Sequence, residues 1–372
     1  MPVAGAERIT ILDAIRGWAT LGILLMNVVS FVLPEGAYYN LSAGGSDSAL
    51  DWIIGGFGEV FVDQKMMGLF SLLFGAGVAL FADRTAAKGE RSTINLSLWR
   101  NVLLFGIGLL HLLLWEGDIL TIYAGASLIV VLLRNQRPRT LIALGVAIFA
   151  VAVLVGLAVT PTVSANGTEL ADLWANDQGT ELSGPVELWF LVDGLGRALA
   201  MMLIGVALFR MGVLDGTRNP TADRRMAQWG LGIGLPLAAA ALAILALNDF
   251  DPRWFLPTHA MNTAATVPVV LGYVGIISLW NRRGNSAFHE RIRAVGRMAL
   301  TNYLTQTLLG VLLLANLVDS NSFTRTAALV FVLVVWGLQL GWSKPWLERF
   351  RFGPFEWAWR SLTYRELQPL RR

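Results

Sequence analysis

Long apolar stretches alternate with short polar gaps from one end of this chain to the other. The stretches fall at about 9–33, 52–82, 96–115, 119–133, 140–160, 186–209, 227–247, 255–280, 295–316 and 323–343. Most approach the ~20 apolar residues that carry a helix across ~30 Å of hydrocarbon. The pattern predicts an all-α polytopic membrane bundle of about ten transmembrane helices within residues 1–344. Residues 345–372 break the pattern. There Trp346, Phe350, Phe355, Trp357 and Trp359 mix with Arg349, Arg351 and Arg360, which suits an amphipathic tail on the inner membrane surface.

Charge orients the bundle. Of the 29 Lys and Arg, all but Lys65, Arg197, Arg253 and Arg325 lie before span 1, after spans 2, 4, 6 and 8, or after span 10, flanking turns included. Such an excess marks the cytoplasmic side, so both termini are expected there. The net charge of +3 is therefore an orientation signal, and no nucleic-acid partner is expected.

Composition changes the picture only slightly. The chain is 55% hydrophobic and 15% charged, with mean hydropathy +0.57. The longest hydrophilic gap, 161–185, is too short for a soluble domain. It carries Glu169, Asp172, Asp177 and Glu181 and no Lys or Arg, and reads as a solvated linker or as a lid over an outward-facing site. The first span is too long for a signal-peptide core and lacks a convincing cleavage site, so it is expected to remain. With no Cys, disulfides and thiol catalysis are excluded, and no metal site is expected. The 38 Gly suit close helix packing, within one chain or in a homodimer.

Polar groups inside spans are costly, which makes each a candidate for function. In span 1, Asp13 and Arg16 can pair on one face, and Thr20 and Asn27 return to it. A structural ion pair is the equal alternative. Span 3 ends at His111, followed by Glu116, Gly117 and Asp118. A His near carboxylates is what a general base needs, unless it merely bonds a neighbouring helix. Lys65 lies in span 2. Asp193 and Arg197 are four apart in span 6, and His259 sits near the outer end of span 8. Arg297 opens span 9, where Asn302 and Gln306 share a face. Interhelical hydrogen bonding is as good a use for them as ligand contact. His289 reads as a solvated residue of a basic loop.

The opening Leu12-Asp13-Ala14-Ile15-Arg16-Gly17-Trp18 through Met26-Asn27 resembles the YeiB-like family of bacterial inner-membrane proteins. Leu69 through Gly77, His111 through Leu120, Val295 through Tyr303 and Gly353 through Thr363 match it in the same order. That opening is also similar to the transmembrane acyltransferase superfamily, which includes heparan-α-glucosaminide N-acetyltransferase. The resemblance implies the bacterial cytoplasmic (inner) membrane as location. It implies transfer of an acyl group, such as acetyl, from cytoplasmic acyl-CoA to a sugar or glycolipid acceptor, with a His as base. In the lysosomal enzyme that His follows span 1. Here Pro34–Ala49 contains none, so either His111 takes the role or acyl transfer is not retained.

Under the acyltransferase reading, Arg16 and Arg297 hold the phosphate end of acetyl-CoA, with Asp13 beside them. The pantetheine arm passes Asn27, Asn302 and Gln306. His111 deprotonates the acceptor hydroxyl or amine, and Glu116 or Asp118 orients it. Lys65, Asp193 and Arg197 lie on the acceptor side, where Lys65, Arg197 or Asn27 could steady an oxyanion. The alternative is a transporter or flippase for a lipid-linked or anionic small molecule, with the Asp193–Arg197 and Asp13–Arg16 pairs as gating or proton-coupling elements. A scaffold with structural polar residues is the third reading.

Overall fold

The computed structural model describes residues 9–87, 93–165, 185–319 and 322–372. Glu169, Asp172, Asp177 and Glu181, the candidate lid, lie outside them. The described elements are helical, apart from an isolated bridge between Phe350 and Arg371. We number the longer helices α1 (Thr10–Asn27), α2 (Ala49–Phe57), α3 (Lys65–Ala87), α4 (Thr93–Leu112), α5 (Leu120–Leu133), α6 (Pro138–Ala165) and α7 (Pro185–Arg210). The rest are α8 (Pro220–Leu247), α9 (Phe255–Arg282), α10 (Ala287–Arg297), α11 (Ala299–Leu309), α12 (Arg325–Arg349) and α13 (Pro354–Tyr364).

Among the described residues, eight helical segments are long and apolar enough to cross a membrane. The protein is a polytopic helical membrane protein. The two remaining expected spans correspond to α1 and to the 14-residue α5. Helix α1 is buried along most of its length. A helix enclosed by other helices need not be apolar on every face, which is how it carries Asp13, Arg16 and Thr20.

Two expected spans are interrupted. Residues 52–82 read as one helix, yet α2 widens into a π turn at Gly58–Val62 and stops at Asp63. Gln64 then takes a left-handed backbone (φ 60°) before α3 begins. Residues 295–316 likewise straddle a break at Met298 between α10 and α11. Hydropathy averaged over a span does not register such breaks, because a few polar residues such as Asp63, Lys65 or Arg297 are diluted by the apolar stretches on either side. Non-helical backbone at membrane depth is tolerated where protein or a cavity surrounds it. Helix α12 continues through Pro345 to Arg349, so the boundary expected at 344/345 falls inside a helix.

The core lies where α1, α3, α7 and α9 meet, around Ile15, Leu72, Met201 and Val274. Small residues set the closest approaches. A Cβ on Gly205 of α7 would lie 1.9 Å from the Leu72 carbonyl oxygen of α3, and one on Gly296 of α10 would lie 1.9 Å from that of Asp13. Helix α13 docks onto α4 and α11 instead of lying apart. Trp359 Nε1 donates to the Arg100 carbonyl (3.0 Å), and Trp99 Nε1 donates to that of Leu362 (3.0 Å).

Candidate functional site

Helix α4 points a buried stripe inward at Ser97, Asn101, Leu104, Gly108 and His111. The three- and four-residue spacing keeps these on one face. The stripe starts at the Lys- and Arg-rich end and finishes at His111. Beyond it the chain turns through Trp115–Gly117 and re-enters as α5. Gly108 makes that return possible, since a Cβ there would lie 2.8 Å from the Thr121 nitrogen.

This turn builds a His–carboxylate pair. His111 and Asp118 are both buried, and His111 Nδ1 lies 2.8 Å from Asp118 Oδ1. Asp118 Oδ2 accepts from the Thr121 backbone N–H (3.0 Å) in the first turn of α5. An ionised carboxylate only accepts, so we assign the proton to Nδ1 and the lone pair to Nε2. Nε2 is buried without a hydrogen-bond partner. The Tyr303 ring of α11 packs 5.2 Å from the imidazole, and its buried hydroxyl has no hydrogen-bond partner. Glu116 is exposed on the turn. Of the two carboxylates considered, Asp118 is the one that holds the ring.

Two cavities share a wall at Ile23, Ile119 and Tyr303; His111 and Asp118 line neither and lie one residue behind it, against the Tyr303 ring. The larger, about 220 Å³, runs from Arg16, Arg100 and Arg297 at the Arg-rich end to Ile23, Ile119 and Tyr303. The second, about 100 Å³, begins at the same three residues and reaches Asn27, Tyr38 and Gln64 on the outer side. Asn101, buried with its Nδ2 unpartnered, lines the first cavity midway. Arg100 lies between the Phe81 and Trp359 rings, 4.5 and 4.2 Å from their centroids.

The expected thioester route needs correcting. Asn302 and Gln306 face away from both cavities, into a network with α12 and α1. Asn302 Nδ2 donates to the Val295 carbonyl and to Ser343 Oγ, and its Oδ1 accepts from Trp342 Nε1. Gln306 Nε2 donates to the Thr20 carbonyl and to Gln339 Oε1, both at 3.0 Å. These are the interhelical bonds that Asn and Gln commonly make inside bundles. The cavity wall is the next face of α11, with Ala299, Leu300 and Tyr303. Asp13 does not line the cavity. It sits 3.7 Å from Arg16 and positions that side chain.

The substrate-side candidates form a separate outer cluster. Arg197 pairs with Asp193 (2.5 Å), and His259 Nε2 lies 3.3 Å from the same carboxylate. Lys65 is fully buried; its Nζ donates to the Glu59 carbonyl and to Asn262 Oδ1. Asn262 Nδ2 in turn donates to Asp63 Oδ2 (2.8 Å). None of Lys65, Asp193 and Arg197 lines either cavity at the His111 junction. His289 is not simply solvated, because it stacks on Trp280 at 4.0 Å and lies 3.0 Å from its carbonyl. Arg325, counted as an outer-loop charge, is buried and donates to the Ala37 carbonyl (2.7 Å).

Sequence reasoning missed Arg100 and Asn101 as cavity residues; it placed Gln64 and Tyr303 among the polar groups at this depth but gave neither a role. The stripe on α4 was a readable signal for the first two. Nothing local distinguishes Tyr303 from its neighbour Asn302.

No metal-binding group of three or more His, Asp or Glu occurs among the described residues. Residues 208–366 match a family described as a protein of unknown function (DUF418). The uncharacterized protein YeiB of Escherichia coli (strain K12) is 34% identical over 385 residues, covering 98% of each chain. The uncharacterized protein YxaH of Bacillus subtilis (strain 168) is 26% identical over 409 residues, covering 99% of this chain and 97% of its own. With motifs and identity shared from end to end, this chain belongs to the YeiB-like family of membrane proteins.

Proposed function

We propose that the protein is a transmembrane acyltransferase. In this reading it takes an acyl group, such as acetyl, from cytoplasmic acyl-CoA and delivers it to a hydroxyl or amine on the outer side. One observation carries the reading: two cavities share a wall at Ile23, Ile119 and Tyr303, and directly behind Tyr303, lining neither cavity, lies the buried His111–Asp118 pair, whose Nε2 has no partner.

Arg16, Arg100 and Arg297 supply the positive charge that the phosphates of CoA require. The Asn101 amide would donate to a carbonyl of the pantetheine arm, giving that buried donor the partner it lacks. His111 Nε2 would accept the acceptor's proton as its oxygen or nitrogen attacks the thioester carbonyl. Asp118 would steady the imidazolium that results. Collapse of the tetrahedral intermediate breaks the carbon–sulfur bond. His111 then returns the proton to the departing thiolate, leaving the acylated acceptor and CoA thiol. The bacterial inner membrane, as the compartment joining acyl-CoA to envelope acceptors, belongs to the same proposal.

Calorimetry of acetyl-CoA with the detergent-purified protein tests this reading. Binding is expected, and Arg16→Ala should weaken it by about tenfold or more, the loss of one charge-assisted contact. A folded protein that binds neither acetyl-CoA nor CoA would sink it. The transporter alternative draws on the outer Asp193–Arg197–His259 cluster and the broken helix at Asp63–Gln64, since irregular backbone beside buried charges is common at transport sites. It predicts solute movement without acyl-CoA and greatest sensitivity at Asp193 and Arg197.

A further inference from the structure

Gln64 sits where a side chain is costly to place. It occupies a left-handed backbone position between α2 and α3, a conformation usually left to Gly or Asn. It is 5% exposed. Its Oε1 accepts from Thr263 Oγ1 (2.9 Å) and lies 3.4 Å from Thr266 Oγ1. With Oε1 held on this side, Nε2 is buried without a partner. A buried amide donor left unmade costs ~1–3 kcal/mol. The residue also lines the outer cavity of about 100 Å³, together with Asn27, Tyr38 and Tyr303. Strained backbone and an unused donor therefore coincide on one small cavity, which Tyr303 separates from the His111–Asp118 pair.

We infer that this outer cavity is a subsite for a neutral, hydroxyl-bearing group of the acceptor, with Gln64 Nε2 donating to one of its oxygens. The inference rests on the acyltransferase reading and deepens it. Neutrality follows from the walls. They contribute amides, phenols and the apolar chains of Ile23, Met26 and Met66, with no Lys, Arg, Asp or Glu. Lys65, one residue away, is occupied by Glu59 and Asn262. An anion would lose its hydration and meet no cation there, whereas a polyol would offer oxygens to the amides and carbon to the methionines. A volume of about 100 Å³ favours one ring or a short polyol end over a bulky chain.

The chain has no native cysteine, so an Asn27→Cys variant reports on this cavity alone. The protein is reconstituted in nanodiscs and alkylated with iodoacetamide in the presence of glycerol, glucose, N-acetylglucosamine or sodium phosphate. At least one of the three neutral polyols should slow labelling saturably, and phosphate should not. Adding Gln64→Leu should raise the protecting concentration by roughly fivefold or more, as for one lost hydrogen bond. The doubly substituted protein must retain its thermal unfolding midpoint, and Gln64→Asn serves as a second variant that keeps an amide. An unreactive introduced thiol, no protection by any of the three polyols, equal protection by phosphate, or protection indifferent to Gln64→Leu each overturns the inference. Acetyl-CoA calorimetry on the same sample separates the two levels. Bound acetyl-CoA without polyol protection removes this subsite alone. Protection without acetyl-CoA binding removes acyl transfer and leaves a solute pocket.

Discussion

His111 is the side chain on which most depends. Its chemistry is set by what lies on each nitrogen: Asp118 on Nδ1 and no partner on Nε2. His111→Gln keeps a polar side chain near Asp118 but removes the base. Loss of a general base typically costs ~10²–10⁴-fold. Release of CoA thiol from acetyl-CoA with a competent acceptor should fall in that range, while the thermal midpoint moves little. Retained turnover would exclude His111 as the base. The sequence exposed this pair well, because a His seven positions before an Asp at a helix turn is visible in the chain itself. It could not choose between Glu116 and Asp118, which differ by two positions. Turn geometry decides that: one carboxylate projects outward and the other is drawn in by the Thr121 N–H.

Helices in this protein are held by close backbone approach as much as by side-chain packing. Gly205 meets the Leu72 carbonyl of α3. Backbone cannot swing aside as a side chain can, so Gly205→Ala should cost ~1–3 kcal/mol by overpacking. A lower thermal midpoint would register it, and an unchanged midpoint would mean that α3 and α7 separate freely. Helix α13 behaves differently, because it is held by a titratable latch. Glu356 accepts from the Thr301 N–H (3.0 Å) and from Thr301 Oγ1 (2.5 Å) at the start of α11. Protein surrounds its carboxyl, although part of its surface lines the larger cavity. Burial pushes the carboxyl above its ordinary 4.5, with the Thr301 hydrogen bonds opposing. The docked state therefore binds the proton more tightly than the undocked one. Docking should be fully favoured below pH 4.5 and weaken as pH rises through the raised value. Trypsin cleavage at Arg360 and Arg365 should accelerate over that range. Relative to cleavage of a free peptide at each pH, which removes trypsin's own pH dependence, Glu356→Gln should abolish the acceleration; an acceleration retained in that variant would place the titration elsewhere.

The bundle as a whole is organised about an axis that joins its two sides. Cations gather at one end of the larger cavity, and the neutral outer cavity opens at the other. The orientation assigned from Lys and Arg can be tested directly, again because there is no native cysteine. Asp47→Cys should react with an impermeant maleimide in intact spheroplasts, and Glu366→Cys only after permeabilisation. The reverse result would invert the topology and put the Arg-lined mouth outside, where acyl-CoA is absent.

Hydrophobic patterning alone determined the helical class and the approximate spans. Those properties follow from the solvent: hydrocarbon demands internally bonded helices of a given length. Tertiary structure decided which polar residues share a cavity. Asn302 and Tyr303 are adjacent in sequence, about 100° apart around α11. One bonds α12 through Ser343 and Trp342; the other lines both cavities beside His111. Helical periodicity assigns a residue to a face but not to the neighbour that face will meet. The breaks at Gln64 and Met298 were equally hidden, because they depend on how α2, α3, α10 and α11 pack and not on how apolar they are.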